Sequence, residues 1–141
     1  AYTLSRVYAT ELEYRLIAGE LPGEAPALTC RWDWRFLDRH TIEVLLGLAV
    51  SHTTERPERV RVSYVGIVRL PDGTPDLPLT DFVRHVAPEW LLPWVSEAIH
   101  SLTGRGYFGG VPLGPLDISA LIPQSADEAT GVHQASGTTL Y

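Results

Sequence analysis

Apolar and polar residues alternate along four segments in the first half of the chain, and this alternation predicts β-strands. The pattern is clearest from Leu28 to Phe36, where every second residue is apolar or aromatic and the residues between are polar. Three more strands are predicted at Tyr2 to Leu16, Thr41 to Thr53 and Arg59 to Leu70. In the first of them the alternation slips near Val7, which indicates a β-bulge.

The connections between these segments predict how the strands pair. Short polar turns, Asp38 to His40 and Thr54 to Glu58, join the second strand to the third and the third to the fourth. Connections this short favour antiparallel neighbours. The first strand is followed by a longer stretch rich in turn residues, Gly19 to Pro26, which predicts a loop or crossover. The chain therefore predicts a four-stranded antiparallel sheet.

The second half of the chain predicts helices and loops. Thr80 is a candidate N-cap for a short helical segment, and a break is expected near Pro88. The main helix is predicted from Pro88 to Thr103, where Gly104 ends it. Asp117 is a candidate N-cap for a final helix that Pro123 cuts short. Strands followed by helices define an α+β fold.

The main helix carries more apolar residues than one buried face requires. Its polar positions form one narrow stripe. The rest of the helix surface is apolar and includes Trp90 and Trp94. Large apolar side chains left in water favour association. We therefore expect an oligomer interface on this helix; the alternative is that the helix lies within its own core. The residues assigned to the interface are Trp90, Trp94, Val95 and Ile99.

Composition limits the class of protein. The chain has 141 residues with a net charge of −6, which predicts one globular domain and argues against nucleic acid as the main partner. We assign residues 1–122 to a single domain and residues 123–141 to a short helix remnant and a flexible tail. The charged stretch Ala1 to Arg15 does not read as a signal peptide, and the sequence shows no membrane span. The single cysteine, Cys30, fits a reducing cytoplasm.

No group of residues in the sequence predicts catalysis. Gly104 to Gly109 matches G-x-G-x-x-G, but it follows a predicted helix rather than a strand, so nucleotide binding is not expected. The five histidines lack metal-ligand spacing. Cys30 lies on an apolar strand face, where a thiol usually packs as a small hydrophobe. We expect no enzyme activity, no cofactor and no metal.

The aromatic row formed by Trp32, Trp34 and Phe36 allows two interpretations. It either packs beneath the helix as core, or part of it extends beyond the helix and lines an open groove. Tyr107 and Phe108 in the glycine-rich loop would then form part of the other wall. A groove of this kind suits extended, unfolded polypeptide. The residues assigned to the groove are Trp32, Trp34, Phe36, Val60, Val62, Tyr107, Phe108, Leu113 and Leu121.

Three motifs in the second half of the chain resemble the protein-export chaperone family SecB. They are Ala87-Pro88-Glu89-Trp90-Leu91-Leu92-Pro93-Trp94, then Gly104-Arg105-Gly106-Tyr107-Phe108, then Leu113-Gly114-Pro115-Leu116-Asp117-Ile118-Ser119-Ala120-Leu121. The family has similar motifs in the same order and spacing. Weaker similarity lies upstream, at Arg6-Val7-Tyr8, Ile42-Glu43-Val44 and Val65-Gly66-Ile67, so the resemblance covers about Tyr2 to Ile122.

The resemblance implies a Greek-key antiparallel sheet with two helices on one side, assembled as a homotetramer that is a dimer of dimers. It also implies a chaperone that holds unfolded preproteins without ATP and delivers them to the translocase motor SecA for export. The family docks the motor through acidic residues on the outer sheet surface. The positions here are Glu11, which keeps the acid, and Arg15, Arg59 and Arg61, which depart from the family. The alternatives are a SecB-like chaperone dedicated to another client, such as an antitoxin, and an oligomeric adaptor without chaperone activity.

Overall fold

The computed structural model describes residues 1–17, 27–51, 57–106, 109–111, 113–114, 116–122 and 133–139. Four long strands form an antiparallel sheet, as the alternation predicts. They are β1 (Thr3–Leu16), β2 (Ala27–Asp38), β3 (Thr41–Val50) and β4 (Glu58–Arg69).

The strand order places β1 beside β4 rather than beside β2. β2, β3 and β4 pair in sequence, and the β3–β4 register is continuous from Thr41 opposite Arg69 to Val50 opposite Val60. The chain must therefore pass from one side of the β2–β3–β4 unit to the other after β1. Part of that connection, residues 18–26, lies outside the described residues, and the Greek-key path through it stays a prediction.

The predicted irregularity in β1 is present. Its pairing with β4 shifts between Leu4 and Arg6 and again between Ala9 and Glu11, on either side of Val7. Each shift inserts an extra residue, so the strand bends and twists more strongly there.

Residues near the C-terminal end of the described chain add a fifth strand, β5 (His133–Thr139). It pairs antiparallel with β2, from Ala27 opposite Thr139 to Trp32 opposite His133. The sequence predicts a flexible tail here because these residues are small and polar. The tail residues form a strand because the open edge of β2 offers backbone partners, which no local pattern reveals.

The helical region is continuous where the sequence predicts a break. A leading turn, Leu79–Asp81, passes into a π-helical stretch, Phe82–Val86, and then into α1, Ala87–Gly104. In the π stretch the Ala87 N–H donates to the carbonyl of Phe82, five residues earlier. Pro88 follows directly, near the start of α1, where its missing N–H interrupts little. The predicted cap is also wrong, because Pro78 and not Thr80 occupies the N-cap position.

The core lies between α1 and one face of the sheet, which we call the helix-side face. Residues of β2, β3 and β4 that share this face by register are buried, among them Trp32, Leu46 and Val62. From α1, Leu91, Val95 and Ile99 meet them, at a spacing of four that keeps one helix stripe inward. Gly66 on β4 makes room for this packing, since an added Cβ there would lie about 3.0 Å from the Leu91 side chain.

A second, short helix, α2 (Ile118–Leu121), follows the loop after α1. Asp117 occupies its N-cap position, as predicted, although its carboxylate accepts from the Ser119 hydroxyl (2.9 Å) rather than from a helix amide. Ile118 and Ile122 are buried in the same core. Arg84 ties the segment to the π stretch, donating to the Ile122 carbonyl at 3.1 Å. The expected α+β fold, an antiparallel sheet with a helix packed against it, is confirmed.

Candidate functional site

The aromatic row passes from the core to the surface along β2. Trp32 is fully buried and Trp34 is 4 % exposed, whereas Phe36 is 50 % exposed. The Trp34 and Phe36 rings meet edge to face, with centroids 5.5 Å apart. The next residue, Leu37, is also exposed and breaks the alternation. The outer end of β2 therefore presents two adjacent apolar side chains at the surface.

The other residues assigned to the groove divide between the core and the loop. Val60 and Val62 are fully buried, while Leu113 and Leu121 are partly buried and pack against the core. Tyr107 and Phe108 lie outside the described residues. The buried members form core, which is one of the two interpretations that the sequence leaves open. Phe36 is the groove residue that the structure leaves exposed among those it describes.

Thr103 anchors the segment that follows α1. The sequence places it on the polar stripe of the helix, but its side chain is fully buried. Its hydroxyl donates to the Ile99 carbonyl (2.8 Å) and accepts from the Val111 N–H (2.8 Å), so both of its roles are satisfied. The next turn is also close-packed, because an added Cβ on Gly106 would collide with the Tyr14 hydroxyl. This glycine permits a close approach to β1.

The residues assigned to the oligomer interface lie on two neighbouring stripes of α1. Val95 and Ile99 are fully buried against the sheet, whereas Trp94 is 49 % exposed and Trp90 is partly buried. Trp94 lies over the helix-side face, with its ring 6.2 Å from that of Tyr64. The four-residue repeat that buries one stripe leaves the tryptophans on the neighbouring stripe.

Trp90 belongs to an aromatic cluster at the start of the helical region. Its ring meets Phe82 edge to face with centroids 5.2 Å apart, and the Tyr2 ring stacks on Phe82 at 3.9 Å. The Tyr2 hydroxyl donates to the Leu77 carbonyl at 2.7 Å. An open recess of about 550 Å³ lies beside the cluster, lined by Tyr2, Thr3, Leu4, Glu89, Trp90 and Pro93. This recess continues the exposed apolar surface of α1 toward β1.

Two leucines on β1 extend that surface, although no pattern in the sequence marks them as functional residues. Leu12 is 54 % exposed and Leu16 is 63 % exposed, although both belong to the alternation that predicts the strand. They remain exposed because β1 is the edge strand, which in the described residues pairs with β4 alone. The sequence indicates these leucines only by their place in the first predicted strand, because alternation does not show which strand lies at the edge of the sheet.

The outer face of the sheet carries paired charges. The Arg59 guanidinium donates to the Glu13 carboxylate at 3.0 Å, and Arg61 lies 3.7 Å from Glu11. Arg15 lies opposite Arg59 in the β1–β4 register. The hydrogen bond from Arg59 holds the pKa of Glu13 below its ordinary value. The four residues assigned to motor docking thus lie close together, and the single carboxylate among them, that of Glu11, faces Arg61.

Several observations bear on chemistry. Burial raises the pKa of Cys30 to about 12, so its thiol stays protonated at neutral pH and is a poor nucleophile. Within the described ranges there is no group of three or more histidines, cysteines and acids that could hold a metal ion. Among the same residues, no helix is both long enough and apolar enough to cross a bilayer.

Known proteins resemble this chain in both sequence and fold. The geometry defines the class of structure: an α+β fold in which an antiparallel sheet packs against a helix and exposes apolar side chains near its edges. No protein-family model matches. The SecB proteins of Histophilus somni strains 2336 and 129Pt are each 34% identical over 83 residues, which cover 56% of this chain and 48% of theirs. The chain thus matches about half the length of these curated relatives.

A solved structure supplies the likeness in fold. The SecB-like chaperone Rv1957 of Mycobacterium tuberculosis, in complex with a ChAD peptide from the antitoxin HigA1 (Rv1956), superposes with a TM-score of 0.63. The match covers 82% of this chain and 90% of that one at 13% identity, which shows the fold alone. The SecB-like resemblance predicted from the helix and loop motifs is confirmed by these two likenesses taken together.

Proposed function

We propose that this protein is a chaperone that holds unfolded polypeptides without nucleotide. The observation that carries the proposal is the apolar rim of the helix-side face on a SecB-like fold. This rim consists of Leu12, Leu16, Phe36 and Trp94, with the exposed Leu37 next to Phe36 in the chain, and each of these residues is 45% to 63% exposed. Exposed apolar surface of this kind favours binding of a partner. Unfolded polypeptides supply a complementary surface because their own apolar side chains are exposed.

The two ends of the rim have different roles in this proposal. Phe36 and Leu37 lie at the β2 end, next to the aromatic row, and bind the client. Leu12 and Leu16 lie at the β1 end, on the side of the edge strand, and join Trp94 in contacts between subunits. Burial of these large side chains on association stabilises an oligomer. The assembly proposed is the homotetramer that the SecB resemblance implies, in a reducing cytoplasm.

Suppression of aggregation tests the proposal. A polypeptide that aggregates when diluted from denaturant is followed by light scattering, with and without an equimolar amount of tetramer and in the absence of nucleotide. We expect scattering to fall in proportion to the tetramer added. Unchanged scattering from a protein that is folded and oligomeric would favour an adaptor without chaperone activity.

Two kinds of polypeptide are candidates for the client. The first is an exported preprotein delivered to SecA, as the family resemblance implies. The second is a dedicated client such as an antitoxin. The second is favoured by the outer face, where Arg61 pairs with Glu11, the one acid kept for motor docking, and Arg59 pairs with the neighbouring Glu13. Oppositely charged surfaces steer association, so a neutralised surface weakens it.

Titration with purified SecA separates these candidates. Saturable binding that Glu11→Arg abolishes would support delivery to the motor. Absence of binding by a protein that still suppresses aggregation would support a dedicated client.

A further inference from the structure

Charge is distributed unevenly between the two faces of the sheet. By register, the outer face of β1 to β4, which lies opposite α1, carries seven of the eleven arginines but only four of the seventeen acids. These residues are Arg6, Arg15, Arg31, Arg35, Arg59, Arg61 and Arg69, with Glu11, Glu13, Asp33 and Glu43. The outer face of these four strands therefore has a charge of +3, in a chain whose net charge is −6.

The excess lies on the half of the outer face that β1 and β4 form. On β2 and β3 the arginines and acids are equal in number, and Arg35 donates to the Glu43 carboxylate at 3.0 Å. On β1 and β4 five arginines accompany two acids. The five arginines, which we call the arginine surface, all reach solvent: Arg6, Arg15, Arg59, Arg61 and Arg69.

Two pairs of arginines stand at the ends of the arginine surface. At one end Arg15 lies directly opposite Arg59. At the other end Arg6 lies opposite Ile67, one outer-face position before Arg69 on β4. Like charges on neighbouring strands repel each other, so a bound carboxylate would stabilise each pair. Along β4 the two ends are about 33 Å apart at about 3.3 Å per residue, which matches the width of an interface of about 800 Å² per partner.

Between its ends the arginine surface is uncharged along β4. The outer-face residues there are Ser63, Val65 and Ile67, and the first two are only 3% exposed. On β1, Tyr8 lies opposite Val65 and is 38% exposed, and the Arg6 guanidinium lies 5.4 Å from the centre of its ring. This contact helps to hold Arg6 in place. Exposed tyrosine and arginine are the residues that most often contribute binding energy in protein–protein interfaces.

The two acids on this half of the face contact arginines of the surface. Arg59 donates to the Glu13 carboxylate at 3.0 Å, and Arg61 lies 3.7 Å from Glu11. A guanidinium has five N–H donors, so these contacts leave donors for a further carboxylate. The same acids disfavour nucleic acid, because a phosphate chain that follows β1 would meet both carboxylates. A protein partner can place uncharged groups against them.

We propose that the arginine surface is a docking site for a protein partner whose contact surface is acidic, with carboxylates bound at the Arg15–Arg59 and Arg6–Arg69 ends. Arginine suits this role because its planar guanidinium binds a carboxylate through two parallel hydrogen bonds. The site lies on the opposite face of the sheet from the apolar rim. The inference therefore goes beyond the proposed chaperone function and does not depend on it.

Binding of an acidic peptide tests the proposal. The probe is a fluorescein-labelled peptide of glutamate, glycine and serine, long enough to reach both ends of the arginine surface. It has no apolar side chain for the rim to bind, and its matched control has glutamine in place of every glutamate. We expect saturable binding by anisotropy at low salt, about tenfold tighter for the glutamate peptide and weaker as salt is added. Equal affinity for the two peptides, or no binding to the folded parent, would overturn the proposal.

Charge reversal at one end locates the site. Neither Arg6 nor Arg69 forms a salt bridge within the described chain, so Arg6→Glu and Arg69→Glu should leave the unfolding midpoint close to the parent's. Each should weaken binding of the glutamate peptide about tenfold. Arg105→Glu makes the same change in charge at an exposed position at the end of α1 and should bind as the parent does. An equal loss in all three variants would overturn the proposal, because it would reflect net charge alone.

A second probe distinguishes an acidic protein from a nucleic acid. A single-stranded oligouridylate with the same label is titrated under the same conditions. We expect it to bind more weakly than the glutamate peptide. Tighter binding of the RNA, lost in Arg69→Glu, would overturn the proposal and make a nucleic acid the partner of this face.

Suppression of aggregation separates this inference from the chaperone function. Arg69→Glu should suppress aggregation as well as the parent does, because the apolar rim lies on the other face of the sheet. Loss of suppression in Arg69→Glu at an unchanged unfolding midpoint would overturn the assignment of separate roles to the two faces. A parent that binds the glutamate peptide but does not suppress aggregation would overturn the chaperone function and support the docking site.

Discussion

The helix-side face has a sealed centre and an open rim, and both are built from the same kind of residue. At the centre, Trp32, Leu46 and Val62 are fully buried. At the rim, Leu16 and Phe36 are at least half exposed. The alternation of apolar residues is similar in both regions, and the difference comes from the distance to the helix and to the sheet edges. The centre therefore stabilises the fold, and we propose that the rim binds partners.

The largest expected effect is at the centre. Trp32→Ala should lower the free energy of unfolding by about 3–5 kcal/mol, because it removes a fully buried ring and leaves a cavity. Urea unfolding followed by circular dichroism measures the change. A loss below about 1 kcal/mol would place Trp32 in an accessible groove, where surface substitutions have small effects.

The contact between helix and sheet gives the next largest effect. Gly66→Val should destabilise the protein by about 1–3 kcal/mol, because the added atoms meet the Leu91 and Leu4 side chains. Gly73→Val is the matched control, since an added Cβ there meets nothing within 4 Å. Equal unfolding midpoints for the two variants would show that α1 does not press on Gly66.

A substitution of Trp94, the rim residue on α1, should change assembly more than stability. Trp94→Ser removes a half-exposed ring and should lower stability by at most about 1 kcal/mol, while shifting the sedimentation coefficient toward smaller species. Glu97→Ser, also exposed on α1, should leave the assembly unchanged. An unchanged oligomer with Trp94→Ser would remove this residue from the proposed interface.

At the β2 end of the rim the effect on stability should be smaller still. Phe36→Ser should leave the unfolding midpoint close to the parent's but weaken client binding several-fold, because the exposed ring contributes to binding rather than to the core. Leu77→Ser is the control, since Leu77 is 40 % exposed but lies in the loop before the helical region. If both variants bind the client as the parent does, Phe36 is not part of the client surface.

The smallest expected effect is on the outer face. The pKa of Glu13 is lowered in the folded state, so its ion pair with Arg59 stabilises the protein above the ordinary glutamate pKa of 4.5. That contribution is lost as the pH falls through the lowered folded-state pKa. The parent should be slightly more stable than Glu13→Gln at pH 7, and the gap should close in acid. A gap that persists at low pH would require another role for Glu13.

The sequence predicts the four strands well because a sheet with one buried face produces strict alternation. The strands β2, β3 and β4 begin and end within a few residues of the predicted positions. The bulges near Val7 are also visible in the sequence, because a slipped register moves apolar residues to the wrong face. Each of these features follows from residues that lie close together in the sequence.

Features that depend on distant contacts are not predicted. The helical break expected at Pro88 is absent because a π turn precedes the proline. β5 forms because the edge of β2 is open, and Thr103 is buried because the chain returns to it at Val111. Trp34 is buried and Phe36, two residues later, is half exposed, and alternation alone does not locate this boundary, so the sequence leaves core and groove equally open.

The central claim is that this protein distinguishes an unfolded chain from a folded one by binding exposed apolar residues. The most direct test compares its affinity for reduced, carboxymethylated α-lactalbumin with its affinity for the native form of the same polypeptide, without nucleotide, by isothermal titration calorimetry. We predict saturable binding of the unfolded form, with a negative heat-capacity change from apolar burial, and no measurable binding of the native form. Equal affinity for both forms, or binding of neither by a folded oligomer, would contradict the claim.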